Sequence, residues 1–102
     1  MSTHLVADIP QKVIIRRDDK ILLLEDHKGN FELPGGRLDE GEEISQSIKR
    51  ELKEELGVDV EISGVFDTFY FTSESGVHHY VVLFLGKLAS FYVRISSEHQ
   101  SY

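Results

Sequence analysis

Residues Gly36–Val58 read GRLDEGEEISQSIKRELKEELGV. Ile44, Ile48, Leu52 and Leu56 recur every four residues in this stretch. At 100° per residue they sweep a stripe about 120° wide, enough to bury one helix face. The spacing predicts a helix over Glu42–Leu56, with acidic residues crowding its first turn at the positive end of the dipole. Gly57 follows the last apolar residue as a C-cap. On the helical wheel, with Glu51 at zero, Glu54 falls near 300° and Glu55 near 40°, so three carboxylates share an arc of about 100°. The apolar stripe begins at about 20°, so the carboxylates border the buried face. Ser47, near 320°, is small and would leave space above them. Lys49 and Lys53 lie near 160–200°, away from the arc.

Clustered carboxylates beside a core repel one another, and burial makes each charge costlier. Either they stay hydrated on a rim, as most acidic helix faces do, or a hard divalent cation such as Mg²⁺ or Mn²⁺ binds them. The preceding Pro34-Gly35-Gly36 opens a charge-rich loop whose glycines let the backbone run close to a ligand or metal.

Outward from this segment the chain reads as strands. Gln11–Arg16 and Lys20–Glu25 form a hairpin around Arg17-Asp18-Asp19. His27–Asn30 is a turn, and Phe31–Leu33 is a short strand that stops at Pro34. After the helix, Val58–Ile62, Val65–Thr72 and His78–Leu88 are strand candidates, with a turn at Ser73–Gly76. Met1–Pro10 and Phe91–Tyr102 carry no strong period. The predicted class is α/β, a mixed sheet with the helix packed on one face.

The whole chain has 102 residues, room for one domain. It is 40% hydrophobic and 28% charged, a globular composition. Cysteine is absent, which excludes disulfides, thiolate zinc sites and a cysteine nucleophile. Eighteen acidic against eleven basic side chains give a net charge of −7, which disfavours binding to nucleic-acid polymers. The apolar runs are too short to cross a bilayer, and no Lys/Arg-led apolar leader is visible. A cytoplasmic protein without a membrane partner is expected.

Gly36, Glu42 and Arg50-Glu51-Leu52-Lys53-Glu54-Glu55-Leu56-Gly57-Val58 together resemble the Nudix box, G-x5-E-x7-R-E-U-x-E-E-x-G-U, where U is aliphatic. All nine defined positions across 23 residues agree. The Phe31–Gly36 run also looks like the usual entry to that box. The resemblance covers about Gln11–Tyr102. It implies a Nudix hydrolase, a pyrophosphatase that uses magnesium or manganese to split a nucleoside diphosphate linked to another moiety, water attacking phosphorus. By motif position, Glu51, Glu54, Glu55 and the Gly36 carbonyl would be metal ligands, with Glu54 and Glu55 also catalytic. Gly35 and Gly36 would border the substrate, and Arg37 is a candidate to meet its phosphate, although such a charge is more often solvated. Arg50 would hold Glu51 or Glu42 by a bidentate ion pair, and Glu42 would orient rather than react.

The family frequently adds a carboxylate from a late loop. Ser97–Tyr102 resembles its E-H-x-x-Y segment, which makes Glu98 the candidate and Glu74 the runner-up. His99 and the pair His78-His79 read more simply as surface and strand residues. Family domains usually continue into a further strand and a second helix. The chain is therefore expected to be a single, C-terminally truncated domain, residues 1–102, lacking that helix. Val81–Leu85 and Phe91–Ile95 would then be open to a homodimer partner. The substrate signatures are not met. Thr72 and Ser73 stand where ADP-ribose hydrolases of the family often carry proline, and Glu74-Ser75-Gly76 where the diadenosine-polyphosphate branch favours tyrosine. A nucleoside triphosphate is the expectation by elimination, with a nucleotide sugar also in class. Phe69, Tyr70 and Phe71 are candidates to stack a base, although aromatics on a strand are more often core. Two other readings remain beside the hydrolase: a nucleotide- or protein-binding module without turnover, and an inactive, incomplete domain that oligomerises.

Overall fold

Gln11, Val13 and Ile15 alternate along one strand with Lys12 and Ile14, and this period of two makes the strand the frame of the molecule. In the computed structural model, which describes residues 4–88 and 99–101, that strand is β1 (Pro10–Arg17). It turns at Asp18, whose φ is +56°, into the antiparallel β2 (Lys20–Ile21), as the hairpin reading predicts. The second half of that hairpin differs from the expectation of one strand over Lys20–Glu25. The chain leaves the ladder at Leu22 and resumes as β3 (Leu24–Asp26) in another sheet. The switch lets Leu24 reach the core while Ile21 stays exposed.

β3 pairs with β4 (Phe31–Glu32) and with β8 (His99–Ser101). The Pro34-Gly35-Gly36 stretch, expected as a loop, is β5 (Gly35–Arg37), antiparallel to β1. The two post-helix candidates merge into one long β6 (Val60–Thr72), because register irregularities on either side of Gly64 and Val65 absorb the break. β6 pairs with β7 (His78–Leu88), and β7 runs parallel to β1 from Gln11 opposite Val82 to Ile15 opposite Gly86. The main sheet therefore orders β2-β1-β7-β6, with β5 also on β1.

The helix, α1, spans Ile44–Leu56, two residues shorter than predicted. Its N-cap is Glu43 and its first turn contains no acidic residue, so Glu42 and Glu43 precede the dipole rather than fill it. Gly57 caps the other end at φ +73°, its N–H donating to the Lys53 carbonyl. Ile48, Leu52 and Leu56 are fully buried against Val13, Ile15, Leu24, Val60, Val82 and Phe84. Ile44 is the exception to the predicted stripe and is 42% exposed. It opens the helix, and the inner position in the following turn is taken by Ser47, facing Gln11. Among the described residues no helix is long and apolar enough to cross a membrane. Phe91–Ile95 and Glu98 lie outside the described residues.

Candidate metal and active site

β5 is an edge strand, and its two glycines bring it unusually close to its neighbours. Gly35 has φ +153°, and a Cβ there would collide with the Gln11 carbonyl on β1. Gly36 faces α1 instead. A Cβ there would fall on the Glu51 side chain, 2.8 Å from its Cγ. The Gly35 N–H donates to Glu55 Oε1 at 2.9 Å. Two of the three helix carboxylates thus reach the glycine strand, one by contact and one by hydrogen bond.

Arg50 organises the others. Its Nε and Nη2 donate to the two Glu42 carboxylate oxygens at 2.9 and 2.8 Å, a bidentate fork. Nη2 also reaches Glu51 Oε1 and Asp39 Oδ2, each at 3.1 Å. Nη1 donates to both Glu54 oxygens at 3.1 and 3.3 Å. The Arg50 hydrogen bond holds the Glu42 carboxyl below the usual carboxylate range, against the opposing effect of burial. The same bond to Glu42, followed by that to Glu54, pushes the guanidinium pKa up.

The donors expected from the sequence are all hard oxygen: carboxylates of Glu51, Glu54 and Glu55 and the carbonyl of Gly36. That suits Mg²⁺ or Mn²⁺, and glycine at 36 lets the Glu51 side chain lie against the strand where any Cβ would displace it. Among the described residues no three acidic or histidine side chains stand together as a ready-made metal group. Arg50 holds Glu51 and Glu54 in its fan. The chemistry of these residues fits the cation, and Arg50 competes for two of the donors.

The other predicted residues fall as follows. Arg37, at the end of β5, is largely exposed, with Nε 3.5 Å from Asp8 Oδ2. Glu74 lies in the exposed turn between β6 and β7. His78 and His79 do open a strand. His78 Nδ1 meets the Tyr70 hydroxyl at 2.7 Å, and His79 Nδ1 hydrogen-bonds to Asp8 Oδ1. Phe69, Tyr70 and Phe71 are exposed rather than core, and Phe71 stacks on His79 with centroids 4.7 Å apart. Sequence reasoning passed over Asp8, Gln11 and Asp39, and read Ser47 as space. Gln11 left one signal, a polar residue in phase with buried Val13 and Ile15. Asp8 left none, because its partner is a strand far along the chain.

Residues 11–100 match the NUDIX domain family profile. The chain is 37% identical over 57 residues to the Nudix hydrolase YvcI of Bacillus subtilis, covering 52% of this chain and 36% of that protein. It is 46% identical over 46 residues to an 8-oxo-dGTP diphosphatase of Proteus vulgaris, covering 44% of this chain and 41% of that one. The chain thus spans well under half the length of these two curated relatives. Among solved structures, a MutT NUDIX hydrolase from Burkholderia pseudomallei superposes with a TM-score of 0.84 at 25% identity, covering 95% of this chain and 81% of that one. With the complete box running from β5 through α1 to Val58, Glu51 and Glu55 against its glycine strand, and the profile over most of its length, the chain belongs to the Nudix domain family.

Proposed function

We propose that this protein is a metal-dependent pyrophosphohydrolase that cleaves the pyrophosphate linkage of a nucleoside diphosphate derivative by attack of water on phosphorus. The observation that carries the reading is the seating of Glu51 against Gly36 and of Glu55 on the Gly35 N–H, with Glu54 on the same helix edge. Glu51, Glu54, Glu55 and the Gly36 carbonyl would hold Mg²⁺ or Mn²⁺. Bound there, the cation supplies charge neutralisation of the pyrophosphate and a lowered pKa for the attacking water. The chain's own groups do the rest. Gly35, Gly36 and Arg37 border the substrate, Arg50 and Glu42 orient the glutamates, and Glu98 is the candidate extra carboxylate.

The substrate is a small nucleotide rather than a polymer, in keeping with the net charge of −7. Relatives are named for 8-oxo-dGTP, ADP-ribose and CTP. A nucleoside triphosphate is the first substrate to try. The test is a panel of nucleoside triphosphates, dinucleotides and nucleotide sugars with Mg²⁺ and product identification. Release of a nucleoside monophosphate that stops on chelation is expected. Glu54→Gln should cut turnover by about a hundredfold or more, since even outer-sphere partners of metal sites are worth 10–100-fold. No turnover of any nucleotide, or full activity in Glu54→Gln, overturns the reading.

A further inference from the structure

Gln11 and Ser47 are both fully buried, and the Gln11 Nε2 donates to the Ser47 Oγ at 2.9 Å. The Gln11 Oε1, also buried, has no hydrogen-bond partner among the described residues. Gln11 is the cross-strand partner of Gly36. Gly36 is in contact range of Glu51, and Ser47 sits one turn before Glu51 on the same side of α1. Four links therefore close a ring: Gln11 to Gly36 by strand pairing, Gly36 to Glu51 by close approach, Glu51 to Ser47 along the helix, and Ser47 to Gln11 by the buried hydrogen bond. Elsewhere α1 is seated on the sheet by Ile48, Leu52 and Leu56. Apolar contacts are non-directional and leave a helix free to shift slightly along its seat. The Gln11–Ser47 bond has direction and fixes that shift.

From this ring we infer that Gln11, acting through Ser47, is a positioning residue that sets the distance between the Gly36 carbonyl and the Glu51 carboxylate. The inference rests on the metal reading given under Proposed function. Fold stability does not account for the pair. A buried amide with one end unsatisfied is costly, and replacing both partners by apolar groups of the same shape can be nearly neutral or stabilising. What an apolar pair cannot supply is a fixed register between the strand carrying one donor and the helix carrying the others. Partners outside the ligand shell govern metal affinity in this way, by orienting the ligands.

The test uses the full chain and Mn²⁺ alone, with free ion followed by its paramagnetic resonance signal. The Gln11→Met/Ser47→Ala double variant conserves volume and removes both polar ends. Its Mn²⁺ dissociation constant is expected to rise about tenfold, while its melting midpoint stays level or rises. Ser47→Thr keeps the hydroxyl and is expected to bind Mn²⁺ as the parent does. Unchanged Mn²⁺ affinity in the double variant overturns the inference. So does loss of cooperative melting, which would make the link general scaffolding. Glu54→Gln is titrated in parallel. If it binds Mn²⁺ as tightly as the parent, the metal reading itself fails. If it loses the ion and the double variant does not, only the positioning role fails.

Discussion

Gly35 and Gly36 are adjacent, yet alanine should fail at each for a different reason. At Gly35 the added Cβ meets backbone, which cannot swing away, in a conformation that L-residues rarely adopt. Gly35→Ala is expected to cost about 1–3 kcal/mol of stability, read from denaturant melts. At Gly36 the added atom meets the Glu51 side chain, which can move. Gly36→Ala should therefore melt like the parent but bind Mn²⁺ more weakly, because Glu51 is displaced. Arg50 tests the fan of carboxylates. Arg50→Lys keeps the charge but loses the planar fork that spans Asp39, Glu42, Glu51 and Glu54. A melting midpoint below the parent's, with the gap narrowing as salt is added, is the expected result. That Glu51, Glu54 and Glu55 lie along one side of the helix was legible in the sequence, because helical spacing alone sets it. The Gln11–Ser47 bond was not, because it joins residues 36 apart whose meeting depends on how the helix sits on the sheet.

The helix shows where sequence reading succeeds and where it stops. Its apolar period gave Ile48, Leu52 and Leu56 correctly, since burial follows the wheel once a sheet lies beneath. It misplaced Ile44 and the first turn, because where a helix begins depends on the incoming chain. Leu52 is fully buried. Leu52→Ala should cost about 2–5 kcal/mol, measured by urea unfolding. Strand reading suffered from the opposite problem. Ile21–Leu24 is uniformly apolar, so nothing in it marks the change of sheet between Ile21 and Leu24. The turn between β3 and β4 makes a pH prediction. Asp26 Oδ1 accepts from the Lys28 and Asn30 amides at 2.8 and 2.9 Å. The Asn30 backbone bond leads in holding its carboxyl below the ordinary value of 3.8. A folded pKa that is depressed adds stability above the unfolded value and loses it as pH falls through the folded one. The Lys28 and Asn30 amide resonances should hold steady from neutral pH down to that ordinary value and shift only below it. A shift centred well above it would contradict the bond.

For the whole molecule, the proposed ion would couple to the fold. An ion that binds only the native state stabilises it by about 2.7 kcal/mol at a hundredfold excess over its dissociation constant. Thermal melts should therefore rise with Mg²⁺ or Mn²⁺ in the parent and stay nearly flat in Glu54→Gln. The topology adds a consequence in time. β1, made early in synthesis, has its parallel partner in β7, so that Gln11 waits for Val82, seventy-one positions later. β5 pairs with β1, and its glycines meet Glu51 and Glu55. Non-local pairing of this kind is slow, because the intervening loop must close before any contact repays it. On a translating ribosome the helix and its glutamates would emerge well before the strand that completes their support. Competence to bind the ion should then appear in the last kinetic phase of refolding, together with β1–β7 pairing and after helix formation.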